Sequence, residues 1–144
     1  MRILDVIKVP AKLEYLHQCV SLVSACARQQ GFDDGEIRKI ELSTEEALVN
    51  IFKYAYRDQC GDVKISCTLD PETTFVVEIE DSGVPFDVLN VPSRPVCSND
   101  ESSRSGGLGI FMIKTFTDKV RYRREEGKNI LTLVVSSKDD QHTR

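Results

Sequence analysis

Alternation of apolar and polar side chains predicts a series of β-strands along the chain. In the clearest case, from Val63 to Leu69, every second residue is apolar and Lys64, Ser66 and Thr68 lie between, as a half-buried strand requires. Asp81 ends another such strand, at a position of otherwise apolar parity. The predicted strands are residues 2–9, 63–69, 75–81, 119–124 and 129–136.

Helical spacing of apolar residues predicts two long helices between the first and second strands. Pro10 favours the start of the first helix because it needs no amide donor there, and Gly31 offers its end. The second helix is predicted over residues 35–56, with Asp33 and Asp34 able to accept backbone hydrogen bonds at its start. A short buried helix is predicted for residues 110–116.

The order βααββαββ, with clustered strands and separated helices, predicts an α/β (α+β) two-layer sandwich. In such a fold, helices cover one face of a mixed, mainly antiparallel sheet. The chain of 144 residues has the size of a single domain. Residues 88–105 show no sustained period and are expected to form a long loop, a feature that is often functional, and the tail 137–144 is polar.

Composition narrows the possible partners. A formal charge of −4 gives no electrostatic reason to expect direct binding of nucleic acid or of an anionic membrane. No apolar run approaches membrane-spanning length, so a cytoplasmic protein is expected. The odd number of cysteines and the absence of a C-x-x-C pair favour reduced thiols, with Cys19, Cys26 and Cys67 as small buried hydrophobes.

One row of the predicted second helix carries polar residues that could take part in chemistry, namely Glu46, Asn50, Lys53 and Arg57. Apolar residues flank the row on both sides, which favours the floor of a cleft for Glu46 and Asn50. A carboxylate and an amide one turn apart can provide oxygen ligands to Mg²⁺, and the carboxylate can deprotonate a hydroxyl or water. A solvated helix face with Glu/Lys pairing explains the row equally well.

Two further segments carry weaker signals. Asp81 can accept a hydrogen bond from the amino group of a nucleotide base, and Gly83 lets a ligand approach the backbone, although a simple turn explains this segment better on its own. The glycine-rich segment before the third helix would direct amide donors toward phosphate, or it is only a flexible connector. Its residues are Gly106, Gly107, Leu108 and Gly109.

Together and in this order, the three segments resemble the N, G1 and G2 boxes of the GHKL (Bergerat-fold) ATPases. The matching segments are Glu46-Ala47-Leu48-Val49-Asn50, Asp81-Ser82-Gly83-Val84-Pro85-Phe86-Asp87 and Gly106-Gly107-Leu108-Gly109. The short length and the Asp-x-Gly-x-Pro-Phe-Asp shape are similar to the bacterial anti-sigma factor serine/threonine kinases. The resemblance spans about residues 10 to 136.

The resemblance implies a site for ATP and Mg²⁺. Glu46 would be the catalytic base, Asn50 the Mg²⁺ ligand and Asp81 the adenine acceptor. The residues implied to surround the base and the phosphates are Gly83, Lys53, Arg104, Gly106, Gly107, Leu108 and Gly109, with residues 88–105 as a lid over the nucleotide.

The implied function is phosphorylation of an anti-anti-sigma (STAS-domain) protein, combined with binding of a sigma factor. The resemblance also suggests a homodimer. The alternative is a nucleotide-dependent regulator that sequesters a sigma factor or another partner without efficient transfer. Two residues depart from the wider pattern. Tyr54 stands where many relatives have histidine, and Pro85 replaces a glycine, which favours the anti-sigma branch over histidine kinases, gyrases and chaperones.

Overall fold

The structure, a computed structural model, describes residues 2–56, 60–70, 74–87, 89 and 113–136. Its helices are a short 3₁₀ turn at Leu13–Tyr15, α1 at Leu16–Gln29 and α2 at Asp34–Tyr54. Residues 113–116 are also helical and belong to the predicted third helix. The strands are β1 Arg2–Pro10, β2 Asp62–Leu69, β3 Phe75–Asp81, β4 Lys119–Glu125 and β5 Lys128–Val135.

The five strands form one sheet in the order β1-β2-β3-β5-β4. All four described pairs of neighbouring strands are antiparallel, which confirms the prediction of a mainly antiparallel sheet. The predicted sheet is mixed, but none of these four pairs is parallel. The chain inserts β5 between β3 and β4, which places the last described strand beside the strand that carries Asp81.

The core lies between the helices and one face of the sheet. The alternation in β2 is confirmed from Val63 to Cys67, because Val63, Ile65 and Cys67 are fully buried while Lys64 is exposed. It fails at the end of the strand, where Thr68 is buried as well. The helices bury one apolar side of their surface in the same cluster as these strand residues. Their contribution consists of Cys19, Val23, Cys26, Ala27, Ile37, Ile40, Ala47, Leu48 and Ile51.

Helix α2 begins where a cap can satisfy its first amides. The Asp33 carboxylate accepts from Glu36 N at 2.7 Å, and the Glu36 carboxylate accepts from Asp33 N at 3.0 Å, which completes a capping box. Gly31, with φ of +88°, follows the end of α1 in the left-handed conformation that glycine tolerates best. Both boundaries agree with the sequence prediction.

The predicted role of Pro10 is wrong. Pro10 ends β1, where it pairs with Asp62, and Lys12 is still extended before the 3₁₀ turn. Strand β1 lies at the edge of the sheet, so a missing amide donor costs little there. Proline fits an edge strand as well as a first helical turn, and here strand pairing decides the outcome.

Three cysteines behave as predicted. Cys19, Cys26 and Cys67 are buried free thiols. Burial raises the pKa of Cys19 to about 11, which keeps it protonated and unreactive at neutral pH. In the part of the chain that the structure describes, no helix has the length and apolar composition needed to cross a lipid bilayer.

Candidate functional site

Helix α2 presents the predicted polar row between apolar neighbours. Asn50 is 2% exposed, Glu46 is half-buried and Lys53 is exposed. Ala47, Leu48 and Ile51 beside them are buried in the core. Asn50 is therefore buried and Glu46 lies beside the buried face of the helix, whereas Lys53 extends toward solvent. The floor of a cleft at this place stays a prediction.

The orientation of the Asn50 amide follows from its hydrogen bond. Its Nδ2 donates to the backbone carbonyl of Glu46 at 2.8 Å. A carbonyl oxygen only accepts, so the nitrogen must face the helix and Oδ1 must face away from it. Among the described residues no donor contacts Oδ1. The amide oxygen thus points away from the helix backbone, and a metal ion could bind to it.

Glu46 has a carboxylate oxygen without a partner among the residues that the structure describes. Its Oε2 is buried and receives no hydrogen bond from any of them, which is rare because a buried acceptor normally finds a donor. Burial raises the pKa of Glu46, the neighbouring Glu45 carboxylate raises it further, and the Lys53 ammonium partly opposes both. A carboxylate of this kind is a stronger proton acceptor than one in water.

Asp81 is buried at 3% exposure at the end of β3, on the inner face. Its Oδ1 accepts from Gly83 N at 2.9 Å and from Asn129 Nδ2 at 2.8 Å. Among the described residues no donor contacts Oδ2. Burial raises the pKa of Asp81, and the bonds from Asn129 and Gly83, with the Arg124 charge, oppose that rise. One oxygen is fixed by the protein and the other remains for a ligand.

Asn129 is a site residue that the three motifs do not include. It lies opposite Asp81 in the β3–β5 pairing and is 3% exposed. Besides its bond to Asp81, Nδ2 donates to Val84 O at 2.8 Å, so both amide hydrogens are used. Its Oδ1 accepts from three donors, namely Phe86 N at 3.2 Å, Tyr122 Oη at 2.5 Å and Arg124 Nη1 at 3.1 Å.

A sequence signal for Asn129 does exist. Asn129, the second residue of β5, lies at the parity of Leu131, Leu133 and Val135, which are all buried apolar residues. A polar residue at an inward position of a strand is the same signal that singles out Asp81. The pairing between the two, 48 positions apart in sequence, depends on the strand order and is visible only in the fold.

The sequence predicts that Gly83 lets a ligand approach the backbone. The structure shows a second, steric reason for glycine at this position. A Cβ placed on Gly83 would lie 2.2 Å from the backbone oxygen of Ala55, just past the end of α2. The same oxygen accepts from Val84 N at 2.9 Å. The loop after β3 therefore presses directly against the end of the helix that carries Glu46 and Asn50.

Tyr54, one of the two residues that depart from the pattern of the resemblance, contacts the same loop. Its ring centroid lies 5.3 Å from that of Phe86, with the planes tilted by 42°. Pairs at this distance are mutually stabilising. Tyr54 thus joins the last turn of α2 to the segment that follows Asp81.

Several predicted site residues lie outside the described part of the chain. They are Arg104, Gly106, Gly107, Leu108 and Gly109, together with all of the predicted lid 88–105 except Leu89. Within the residues that the structure describes, no group of three or more His, Cys, Asp and Glu side chains is arranged to hold a metal ion.

Comparison with known proteins identifies the family of this chain. The profile of the histidine kinase-like ATPase domain matches residues 9–135. This chain belongs to that family. The resemblance and the fold inferred from the three motifs are thereby confirmed.

Within the family, the chain is similar to proteins named serine-protein kinase RsbW. The relative from Bacillus thuringiensis (strain Al Hakam) is 30% identical over 132 residues, covering 86% of this chain and 79% of the relative. The relative from Bacillus cereus (strain AH820) is 29% identical over 128 residues, with the same shares covered.

Solved structures agree on the fold. The RsbU and RsbW domains of a Mycobacterium tuberculosis protein match with a TM-score of 0.62 at 13% identity, covering 91% of this chain and 32% of the other. The SiaB–SiaC complex from Pseudomonas aeruginosa matches with a TM-score of 0.59 at 13% identity, covering 93% and 90%. Identities this low support the shared fold alone.

Proposed function

We propose that this protein is an ATP-dependent serine/threonine kinase that phosphorylates an anti-anti-sigma (STAS-domain) partner and also binds a sigma factor. The family match and the relatives named serine-protein kinase support this proposal. The anti-sigma role follows from the motif resemblance, above all from the segment Asp81 to Asp87. Such a protein would regulate transcription in the cytoplasm by exchanging partners.

The observation that carries the enzymatic part is the buried Oε2 of Glu46, which has no hydrogen-bond partner in the part of the chain that the structure describes. A buried carboxylate without donors destabilises a protein, so its presence calls for a role that needs a free acceptor. A protein that only binds nucleotide has no use for a base at this position. Proton acceptance from a substrate hydroxyl is such a role, and the raised pKa of Glu46 suits it.

The remaining polar groups fit a nucleotide with Mg²⁺. Asp81 Oδ2 would accept from the exocyclic amino group of adenine while Oδ1 stays bound to the protein. Asn50 Oδ1 would ligate Mg²⁺, which binds few protein oxygens and takes the rest of its ligands from phosphate and water. When bound, the ion would neutralise charge on the phosphates. Lys53, Arg104 and the glycine segment Gly106–Gly109 would contact those phosphates.

The chemical step is a single displacement. Glu46 takes the proton of a serine or threonine hydroxyl while the hydroxyl oxygen forms a bond to the γ-phosphorus. The bond between that phosphorus and the β–γ bridging oxygen breaks, and ADP leaves. The product carries an added charge of about −1.5 to −2 on the STAS protein, which would weaken its complex with the kinase and free the kinase to hold a sigma factor.

Two measurements test the proposal. A thermal shift with ATP and Mg²⁺ reports binding, because a ligand that prefers the folded state must stabilise it, by about 2.7 kcal/mol at a hundredfold excess over Kd. Incubation with γ-labelled ATP, Mg²⁺ and a candidate STAS-domain protein from the same organism reports transfer. Binding without any label on the STAS protein would favour the regulator that sequesters its partner without catalysis, and no thermal shift would contradict the site itself.

Asp81→Asn separates the two functions of the site. The amide replaces the acceptor with a group that also donates, so the affinity for ATP should fall sharply. Transfer at saturating ATP should fall less than affinity. An unchanged Kd would contradict the assignment of Asp81 to the base.

A further inference from the structure

The hydroxyl of Tyr56 joins three segments at the edge of the candidate site. It accepts a hydrogen bond from Ser82 N at 2.6 Å and donates one to the backbone oxygen of Asp62 at 2.7 Å. Its ring lies against Gly61, where an added Cβ would come within 2.0 Å of the ring carbon Cε1. Tyr56 is thus held on its ring and at its hydroxyl.

The bond to Ser82 N acts on the peptide that joins Asp81 to Ser82. Holding that peptide restricts the backbone torsion of Asp81 and hence the direction of its side chain. On the next peptides, Gly83 N donates to Asp81 Oδ1 and Val84 N donates to Ala55 O. Residues 55 and 56, immediately after α2, therefore bind the loop on both sides of Gly83.

The hydroxyl is suited to a fixed position. It has one donor and one acceptor partner, which uses its hydrogen and a lone pair. Burial is the main cause that raises the pKa of Tyr56, so the hydroxyl keeps its proton throughout the neutral range and the bond to Asp62 persists.

We propose that Tyr56 is a positioning residue for nucleotide recognition: by holding the peptide after Asp81, its hydroxyl directs the free carboxylate oxygen toward the base. The inference rests on the proposed ATP site. Tyr56 touches neither the nucleotide nor the substrate, and it acts only through Asp81. The contribution of Tyr56 to ligand affinity should therefore depend on the presence of a base in the ligand and on the Asp81 carboxylate that binds the base.

Tyr56→Phe is the direct test, because the ring keeps its contact with Gly61 and only the hydroxyl is lost. The affinity for ATP with Mg²⁺, measured by titration calorimetry, should fall about fivefold, the equivalent of one neutral hydrogen bond. The affinity for magnesium tripolyphosphate, which has no base, should not change. Gly61→Ala should have the same effect as Tyr56→Phe by displacing the ring.

A double-mutant cycle shows whether the effect passes through Asp81. In an Asp81→Asn background, Tyr56→Phe should cause no further loss of ATP affinity, because the group it positions is gone. Tyr15→Phe is the matched control, since it removes the hydroxyl of another half-buried tyrosine, in the 3₁₀ turn, and should leave the affinity unchanged.

The outcomes are distinct. Equal losses for ATP and tripolyphosphate, or a full further loss in the Asp81→Asn background, would show that Tyr56 only supports the fold and would overturn the inference. So would an unchanged ATP affinity in both Tyr56→Phe and Gly61→Ala. Failure of the unmodified protein to bind ATP would instead contradict the proposed function.

Discussion

Glu46→Gln should make the protein more stable and nearly inactive at the same time. The substitution keeps the length of the side chain and removes its charge. Within the described part of the chain Glu46 Oε2 is buried without a hydrogen bond, and an unsatisfied carboxylate oxygen of this kind destabilises the folded protein. Catalysis, in the proposed mechanism, depends on that same unsatisfied oxygen.

The gain in stability can be estimated from this one atom. An unsatisfied buried polar group costs about 1–3 kcal/mol, and more when it is charged. The glutamine amide is also incompletely paired but neutral, so only part of the cost is removed, and we expect a gain of about 1 kcal/mol. For a domain of this size the melting temperature should rise by about 3 °C.

The gain should depend on pH, and its direction follows from the pKa of Glu46. Burial raises that pKa above its value in the unfolded chain. Between the two values the folded state binds more protons, so the stability of the unmodified protein falls as pH rises through the window. Glutamine does not titrate. The advantage of Glu46→Gln should thus be small near pH 4 and larger at pH 7.

Activity should change in the opposite direction. Loss of a general base lowers the rate of proton transfer steps by about 10²–10⁴, and label transfer to the STAS protein should fall within that range. The Kd for ATP, measured by calorimetry, should stay within about twofold because no binding role is assigned to Glu46.

Glu78→Gln is the matched control. Glu78 lies on the other face of the sheet and pairs at 3.9 Å with the partly exposed Arg123, so its loss should change stability little. A stability gain in Glu46→Gln that is the same at pH 4 and pH 7 would refute the electrostatic reasoning. Retained transfer would refute the role of Glu46 as the base.

Two other substitutions test the frame around Asp81. Asn129→Leu removes one of the two donors to Asp81 Oδ1, so ATP should bind at least about tenfold more weakly. The loss should be greater at pH 6 than at pH 8, because the pKa of Asp81 rises further without that donor; equal losses would argue against this cause. Gly83→Ala forces a Cβ to within 2.2 Å of Ala55 O, and chemical denaturation should show a loss of about 1–3 kcal/mol. Gly35→Ala, with only ordinary contacts in the first turn of α2, should be neutral or stabilising.

The fold and part of the site follow from local patterns in the sequence. Period-two alternation predicts β2 and β3, and the same parity places Asp81 on the buried face. The capping residue Asp33 predicts the start of α2. These features depend on neighbours within a few residues, which is the range that a sequence pattern reports.

The rest depends on contacts between distant segments. The bonds of Asn129 to Asp81 and of Tyr56 to Ser82 span 48 and 26 positions, and no periodicity indicates either. Pro10 shows the converse difficulty. A proline satisfies the local requirements of an edge strand and of a helix start equally, and only the pairing with β2 decides between them.

The position of β5 has a consequence for protein synthesis. Asp81 is translated well before Asn129. The amide that holds the Asp81 carboxylate is added only with β5, the second strand of the last hairpin. A growing chain that has reached β3 but not β5 carries all of the N-box and the G1 segment while its central strand still lacks a neighbour. If Asp81 binds a nucleotide base as proposed, that ability is acquired only after residue 129 has been synthesised, and a fragment truncated before that point would carry the motifs without the Asn129 amide that fixes Asp81.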